Sequence, residues 1–306
     1  MEYTVLGNTG RKVSKIGFGG ATAGIHNYIQ AFNPEDEKDK QGVIDAIHEA
    51  YRLGINYFDT AESYGDGVSE SIFGEALGSI PPEKIFLASK VTPTKTKTGK
   101  EVVRSSGEIR NSLEKSLKRL HRDFIDLIQI HGTYYSEETA CTILQKNGVL
   151  DTLEKAKAEG LVKHIGFSVE TQNVALDRLL ECERFEVMQI QYNFLFQHPY
   201  DPYFKSGSLY KAKEKGIGVA TMRTVTSGIF QKWIQQVNPE NTFDYTPALL
   251  QFVLSNPFVD VALLGMRSVD IVQKNVEICN DLSGRMDIEN LHYRITQSNQ
   301  IGRAHV

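Results

Sequence analysis

INYFDTAESYG, residues Ile55–Gly65, passes from strand-forming to polar and small residues within one short stretch. Ile55, Tyr57 and Phe58 carry strand propensity. Asp59, Thr60, Glu62, Ser63, Tyr64 and Gly65 follow them. Helical patterns stand on both sides, Gly42–Arg52 before and Ser69–Leu77 after. A carboxylate therefore ends a short buried strand, with a tyrosine in the loop just beyond. Strand starts recur through the chain at a spacing of roughly thirty to forty residues, as in an alternating βα chain. In a parallel α/β barrel, the C-terminal ends of the strands are where chemistry is done.

The next two strands end in chemically useful residues as well. IFLASK ends in Lys90, and FIDLIQIHG carries His131 after its last apolar residue. A tyrosine alone is a poor proton donor, with a pKa near ~10. A nearby ammonium favours the phenolate and makes the hydroxyl a usable acid. The four residues divide the work accordingly. Tyr64 gives a proton to a carbonyl oxygen as hydride reaches its carbon. Lys90 biases Tyr64 toward ionisation, and Asp59 holds and neutralises Lys90. His131 offers a hydrogen bond to the same oxygen. Singly, each has a plainer reading: Asp59 as a helix cap, Lys90 as a solvated surface residue, His131 and Tyr64 as packing. Together, at the ends of successive strands, they read as a site.

At these residues the chain resembles the aldo-keto reductase family. The matching pieces are GFGG at Gly17–Gly20, FDTAESYG at Phe58–Gly65, Ser89–Lys90 and Ile130–His131. GFS at Gly166–Ser168 and LGMRS at Leu264–Ser268 also match. The resemblance implies a (β/α)8 TIM barrel with an N-terminal β-hairpin across its bottom. It also implies a nicotinamide cofactor, usually NADPH, and reduction of aldehydes or ketones. By the same resemblance Ser168 and Gln189 meet the nicotinamide carboxamide, and Asn275 contacts adenine. The family commonly places Asn where Val169 stands, Gln or Arg at Ile271, and Glu at Lys274. Met222–Arg223 resembles the lineage with Met then Lys at the end of strand seven. There the thioether packs on the nicotinamide ring in place of an aromatic.

Other cofactor positions come from the residues themselves. Gly19 and Gly20 allow close backbone approach, either to a cofactor or in a turn. Arg223 suits a pyrophosphate or a substrate anion. A barrel's phosphate site lies after strands seven and eight, at a helix N-terminus. There Gly265 admits the backbone, Arg267 supplies a fork of donors, and Ser268 caps the last helix. Arg267 is the candidate for a 2′-phosphate, which favours NADP over NAD.

Glu2–Lys15 reads as a hairpin in which Tyr3, Val5 and Leu6 face Val13. Tyr28–Gln41 reads as a polar insertion, a solvated loop and helix start, and Val91–Arg104 as a solvated loop or alternatively an overhang on the site. The aromatic stretch Tyr192–Phe204 suits either a pocket wall or rim packing. The polar tail, residues 282–306, points to a small or polar substrate such as a sugar.

The sequence has 306 residues, 41% hydrophobic and 24% charged, with net charge −4. That suits one globular domain over residues 1–306. No basic surface argues for nucleic acid, and no apolar run is long enough to span a bilayer. MEYTVLGNTG carries no secretory pattern, so cytoplasmic residence is the default expectation. The three cysteines are scattered and form no metal cluster. The expected partner is a small-molecule carbonyl or sugar, with no metal. Two alternatives stay open. One is a cofactor-binding regulatory subunit resembling potassium-channel β-subunits. The other is a barrel hydrolase or isomerase using Asp59 and Glu62 beside His131, which the lack of a ligand-spaced His/Asp cluster disfavours.

Overall fold

In the computed structural model, which describes residues 1–28, 31–98 and 100–297, eight parallel strands close into a barrel. The barrel strands are β1 (Ile16–Gly19), β2 (Tyr57–Asp59), β3 (Phe86–Val91), β4 (Ile125–Ile130), β5 (Val162–Val169), β6 (Val187–Gln191), β7 (Gly218–Met222) and β8 (Val261–Gly265). Each pairs with its sequence neighbour, and β8 returns to β1 through Ala262↔Ile16 and Gly265↔Gly19. The outer helices are α1 (Glu37–Arg52), α2 (Val68–Leu77), α3 (Ser106–Leu120), α4 (Val149–Ala158), α5 (Val174–Glu181), α6 (Ser208–Glu214), α7 (Thr246–Leu254) and α8 (Val269–Asn280).

Two apolar layers follow from the strand alternation. Outward residues such as Phe18, Phe58, Ile128 and Phe167 meet the helices in one large cluster. Inward residues Tyr57, Phe86, Ala88, Leu127, Val187, Ala220, Val261 and Leu263 fill the lower barrel. The hairpin Tyr3–Val5/Lys12–Ser14 closes that end, and only Leu6 and Val13 enter the inner cluster. Tyr3 and Val5 are exposed instead, because Thr4 is the residue opposite Val13.

Several local expectations change. α1 begins at Glu37, inside the polar run, because the Asp36 carboxylate accepts from the amides of Lys38 and Asp39. The charged residues there are its first turn. Within Val91–Arg104, Thr94–Lys97 and Lys100–Val103 pair as an antiparallel hairpin. Two further helices, Glu137–Leu144 and Ile229–Val237, stand in the connections between β4 and α4 and between β7 and α7. Within the aromatic stretch, Tyr192 and Tyr200 pack on the rim, stacking on Phe252 and Tyr210, while Tyr203 and Phe204 are exposed. Helix Ile288–Gln297 lies on the barrel exterior, where Glu289 accepts from the Tyr200 hydroxyl. Residues 298–306 of the tail fall outside the described residues. Among the described residues, no helix is long and apolar enough to cross a membrane.

Candidate active site

The C-terminal strand ends open into a cleft of about 500 Å³. Asp59, Tyr64 and His131 line it. Lys90 lies beneath them, fully buried. Its ammonium donates to Asp59 Oδ1 at 2.6 Å, to the Thr60 carbonyl at 2.8 Å and to the Tyr64 hydroxyl oxygen at 3.2 Å. An ammonium has three donors, and all three are used. Lys90 is therefore held against both its counter-ion and the phenol. The rings of Tyr64 and His131 meet edge to face, with centroids 5.5 Å apart.

The charges follow from this packing. Burial works against the Lys90 ammonium, but Asp59 and Tyr64 together lift it above its ordinary value. Burial raises the Asp59 carboxyl, and Lys90 opposes that rise. Burial also pushes the Tyr64 hydroxyl above the usual phenol range, with Lys90 again opposing. The expected bias toward ionisation is thus outweighed by desolvation, and Tyr64 carries its proton at neutral pH. Burial, reinforced by Lys90, holds the His131 ring down at about 3, so the ring is neutral. His131 Nδ1 lies 3.0 Å from Ser63 Oγ. With Ser63 donating, the ring proton sits on Nε2.

Of the ten expected cofactor residues, seven line the cleft: Gly19, Gln189, Met222, Arg223, Gly265, Arg267 and Asn275. Gly20, Ser168 and Ser268 do not. Gly20 is a packing glycine, since a Cβ there would stand 2.7 Å from Ser69 Oγ and 2.8 Å from the Asp59 carbonyl. Ser168 is buried and turned to the neighbouring loop; its hydroxyl accepts from the Gly132 amide and donates to the Gly132 carbonyl, each at 3.1 Å. Ser268 stands at the N-cap position of α8, but its side chain makes no capping bond to the backbone amides of the first turn. Its hydroxyl engages Asp270 instead, holding that carboxyl below the usual range.

Arg223 meets a partner the sequence reading missed: its guanidinium donates to Glu170 Oε1 at 2.9 and 3.1 Å across the cleft. Arg267 lies over the Phe32 ring, 4.6 Å from its centroid. Lys274 pairs with Asp244 and faces the cleft beside Asn275. Gly265 gives room to Thr22, whose side chain a Cβ would approach to 2.6 Å. Thr22 lines the cleft, and its buried Oγ1 has no hydrogen-bond partner among the described residues. Glu62 turns away from Asp59, bonding Ser112 and Arg104. The acid–base pair that a hydrolase would need is therefore not assembled. Gln129 was also missed, although it precedes His131 by two on an alternating strand and so shares its inward face.

A second cavity of about 340 Å³ meets the first at His131, Gly132 and Thr133. Ser63, Thr92, Thr94, Ser136 and Thr139 give it a hydroxyl-rich lining, beside the Glu101 carboxylate.

Comparison with known proteins agrees with this architecture. A sequence model described as the Aldo/keto reductase family matches residues 15–291. L-galactose dehydrogenase of Arabidopsis thaliana is 28% identical over 318 aligned positions, covering 95% of this chain and 92% of that protein. NADH-specific methylglyoxal reductase of Escherichia coli is 28% identical over 260 positions, covering 81% and 72%. An aldo-keto reductase of Bacillus halodurans, solved in its holo form, superposes with a TM-score of 0.74 at 23% identity, covering 96% and 95%.

Proposed function

The chain belongs to the aldo/keto reductase family, and on that footing we propose that its cleft reduces a small polar carbonyl compound with NADPH, or oxidises the matching alcohol with NADP. The observation that carries the reading is the triple anchorage of Lys90 to Asp59, the Thr60 carbonyl and Tyr64 at the cleft floor.

The cleft fits a dinucleotide phosphate. It runs from Tyr64 past Met222 and Gln189 to the first turns of α8, where Arg267, Lys274 and Asn275 stand. Met222 and Gln189 would hold the nicotinamide end, and Arg267 with Lys274 the phosphate end. A bound nicotinamide supplies the hydride.

The protein supplies the rest. His131 Nε2–H and the Tyr64 hydroxyl point two donors at one carbonyl oxygen. As negative charge grows on that oxygen, Tyr64 releases its proton to it. The Lys90 ammonium, 3.2 Å from the phenol oxygen, stabilises the phenolate left behind. Asp59 keeps Lys90 charged in a buried setting, where an unpaired ammonium would lose its proton. For alcohol oxidation the same groups run in reverse.

The hydroxyl-rich second cavity favours a substrate that carries hydroxyl groups, a sugar or hydroxy-aldehyde, over a greasy one. The name of the plant relative fits that class. The name of the bacterial relative makes NADH the competing cofactor.

Fluorescence titration with NADPH and NADH tests the reading, followed by turnover of NADPH over a panel of aldehydes, ketones and sugars. Tight NADPH binding with turnover is expected. Binding without turnover on any carbonyl would favour the regulatory-subunit reading. Binding of neither nucleotide would overturn the assignment.

A further inference from the structure

Gln129 sits on β4, two residues before His131, with its side chain buried inside the barrel. Its amide nitrogen donates to Asp59 Oδ2 at 3.3 Å and to Gln189 Oε1 at 2.9 Å. The other Asp59 oxygen takes Lys90 at 2.6 Å. Gln129 and Lys90 are register partners on β4 and β3. On the opposite side the register partner of Gln129 is Gly166 of β5. No side chain on β5 therefore intervenes before Gln189 on β6.

The orientation of this amide is informative. Its Oε1 is buried with no hydrogen-bond partner among the described residues. Turned over, that oxygen would face the Asp59 carboxylate, acceptor against acceptor, which is worse than an acceptor left alone. The carboxylate thus selects the orientation of the amide.

We propose that Gln129 is a positioning residue: anchored by Gln189, it holds the Asp59 carboxylate aimed at Lys90 and so keeps Lys90 against Tyr64. The proposal rests on the reductase reading of the site. Gln129 does not line the cleft, so it acts through the two side chains it holds, Asp59 and Gln189. Burial raises the Asp59 carboxyl, and a donor to the charged form opposes that rise. The other titratable groups around the pair are Tyr57, Tyr64 and Lys90, all raised, and His131, held near 3. Asp59 is therefore the group that takes up a proton first as the pH falls.

Gln129→Met keeps the bulk and removes the donor. The acid limb of its kcat/KM profile is expected to move up by about one pH unit, the tenfold that one hydrogen bond to a charged group is worth. Gln129→Glu shares a proton with Asp59 and again offers a donor of the same shape; it is expected to return the limb toward the wild-type position. A lower Tm in the Met variant with an unmoved acid limb would mean that Gln129 only packs, and the proposal would fail. If Gln129→Met does not fold, Gln189→Met removes the anchor from the cleft wall. An upward shift is expected there too, since Gln189 also bears on the Asp59 carboxylate, and no shift overturns the proposal. A double-mutant cycle of Gln129→Met with Asp59→Asn, read by urea melts, needs no turnover. Coupling at neutral pH that fades in acid is expected; zero coupling sinks the proposal. Wild-type protein inactive on every carbonyl would instead sink the reductase reading, leaving the cycle to decide the role of Gln129.

Discussion

Tyr64 is the residue on which the proposed chemistry turns. Its hydroxyl keeps its proton because burial outweighs the pull of Lys90, and it yields that proton only as charge develops on a substrate oxygen. Tyr64→Phe is expected to lower kcat by at least ~10²-fold, the worth of a general acid. Cofactor affinity by fluorescence titration is expected to stay at the wild-type value; equal turnover in the variant would remove Tyr64 from the mechanism. His131 gives a pH prediction. Its folded value of about 3 lies below the ordinary histidine range. As pH falls from ~6.5 toward that value, the unfolded chain takes the proton first, so stability drains away. Above that window the contribution is intact. The ring resonances of His131 are expected to show no titration between pH 5 and pH 8, and His131→Asn to flatten the acid decline of Tm. A ring titrating near neutrality would contradict the burial argument.

Elements place these residues as much as sequence position does. The alternation of β4 puts Leu127, Gln129 and His131 on one face, from barrel floor to cleft. The loop between β1 and α1 brings Phe32 under Arg267, which lies just before α8. A guanidinium braced on a ring loses less freedom when it grips a phosphate. Arg267→Ala is expected to weaken NADPH binding about tenfold or more, since hydrogen bonds to charged groups are worth ~1.5–3 kcal/mol. NADH, which lacks the 2′-phosphate, is expected to bind the variant as it binds wild type. Equal weakening of both in parallel titrations would show that Arg267 does not read that phosphate. The pair Arg223–Glu170 spans the cleft between the ends of β7 and β5. It sets a neutral, hydrogen-bonding surface where an isolated arginine would have favoured an anion.

At the scale of the whole molecule, closure of the barrel separates a dry lower half from a polar upper end. The N-terminal hairpin completes the dry half by inserting Leu6 and Val13 beneath Tyr57, Phe86 and Val187. Leu6→Ala is expected to cost ~2–5 kcal/mol of stability, as for buried leucines elsewhere. Urea unfolding measures it, and a loss below ~1 kcal/mol would mean that the hairpin is not part of the cooperative core. Because the hairpin lies at the opposite end from the cleft, kcat at a temperature where the variant is folded is expected to be unchanged.

Short-range pattern determined an alternating βα chain and the four candidate residues at its strand ends, and the resemblance of its motifs to a known family supplied the eight-stranded barrel. Strand alternation, helix periodicity and the residue at each strand's end are properties of neighbouring positions, so Asp59, Tyr64, Lys90 and His131 were legible in the amino-acid order itself. The start of α1 was misread because a charge run and a capped first turn have the same composition. Tertiary structure decided what depends on partners remote in sequence. Ser168 was claimed by Gly132 of the neighbouring loop, Arg223 by Glu170, and Glu62 by Arg104 and Ser112. Gln129 joined Asp59 and Gln189 only when the closing sheet brought three strands to one level. Desolvation was decided there too, and it reversed the expected direction for Tyr64. A sequence shows which groups a chain possesses; which of them share a hydrogen bond, and how much water each retains, is set by the packing that folding completes.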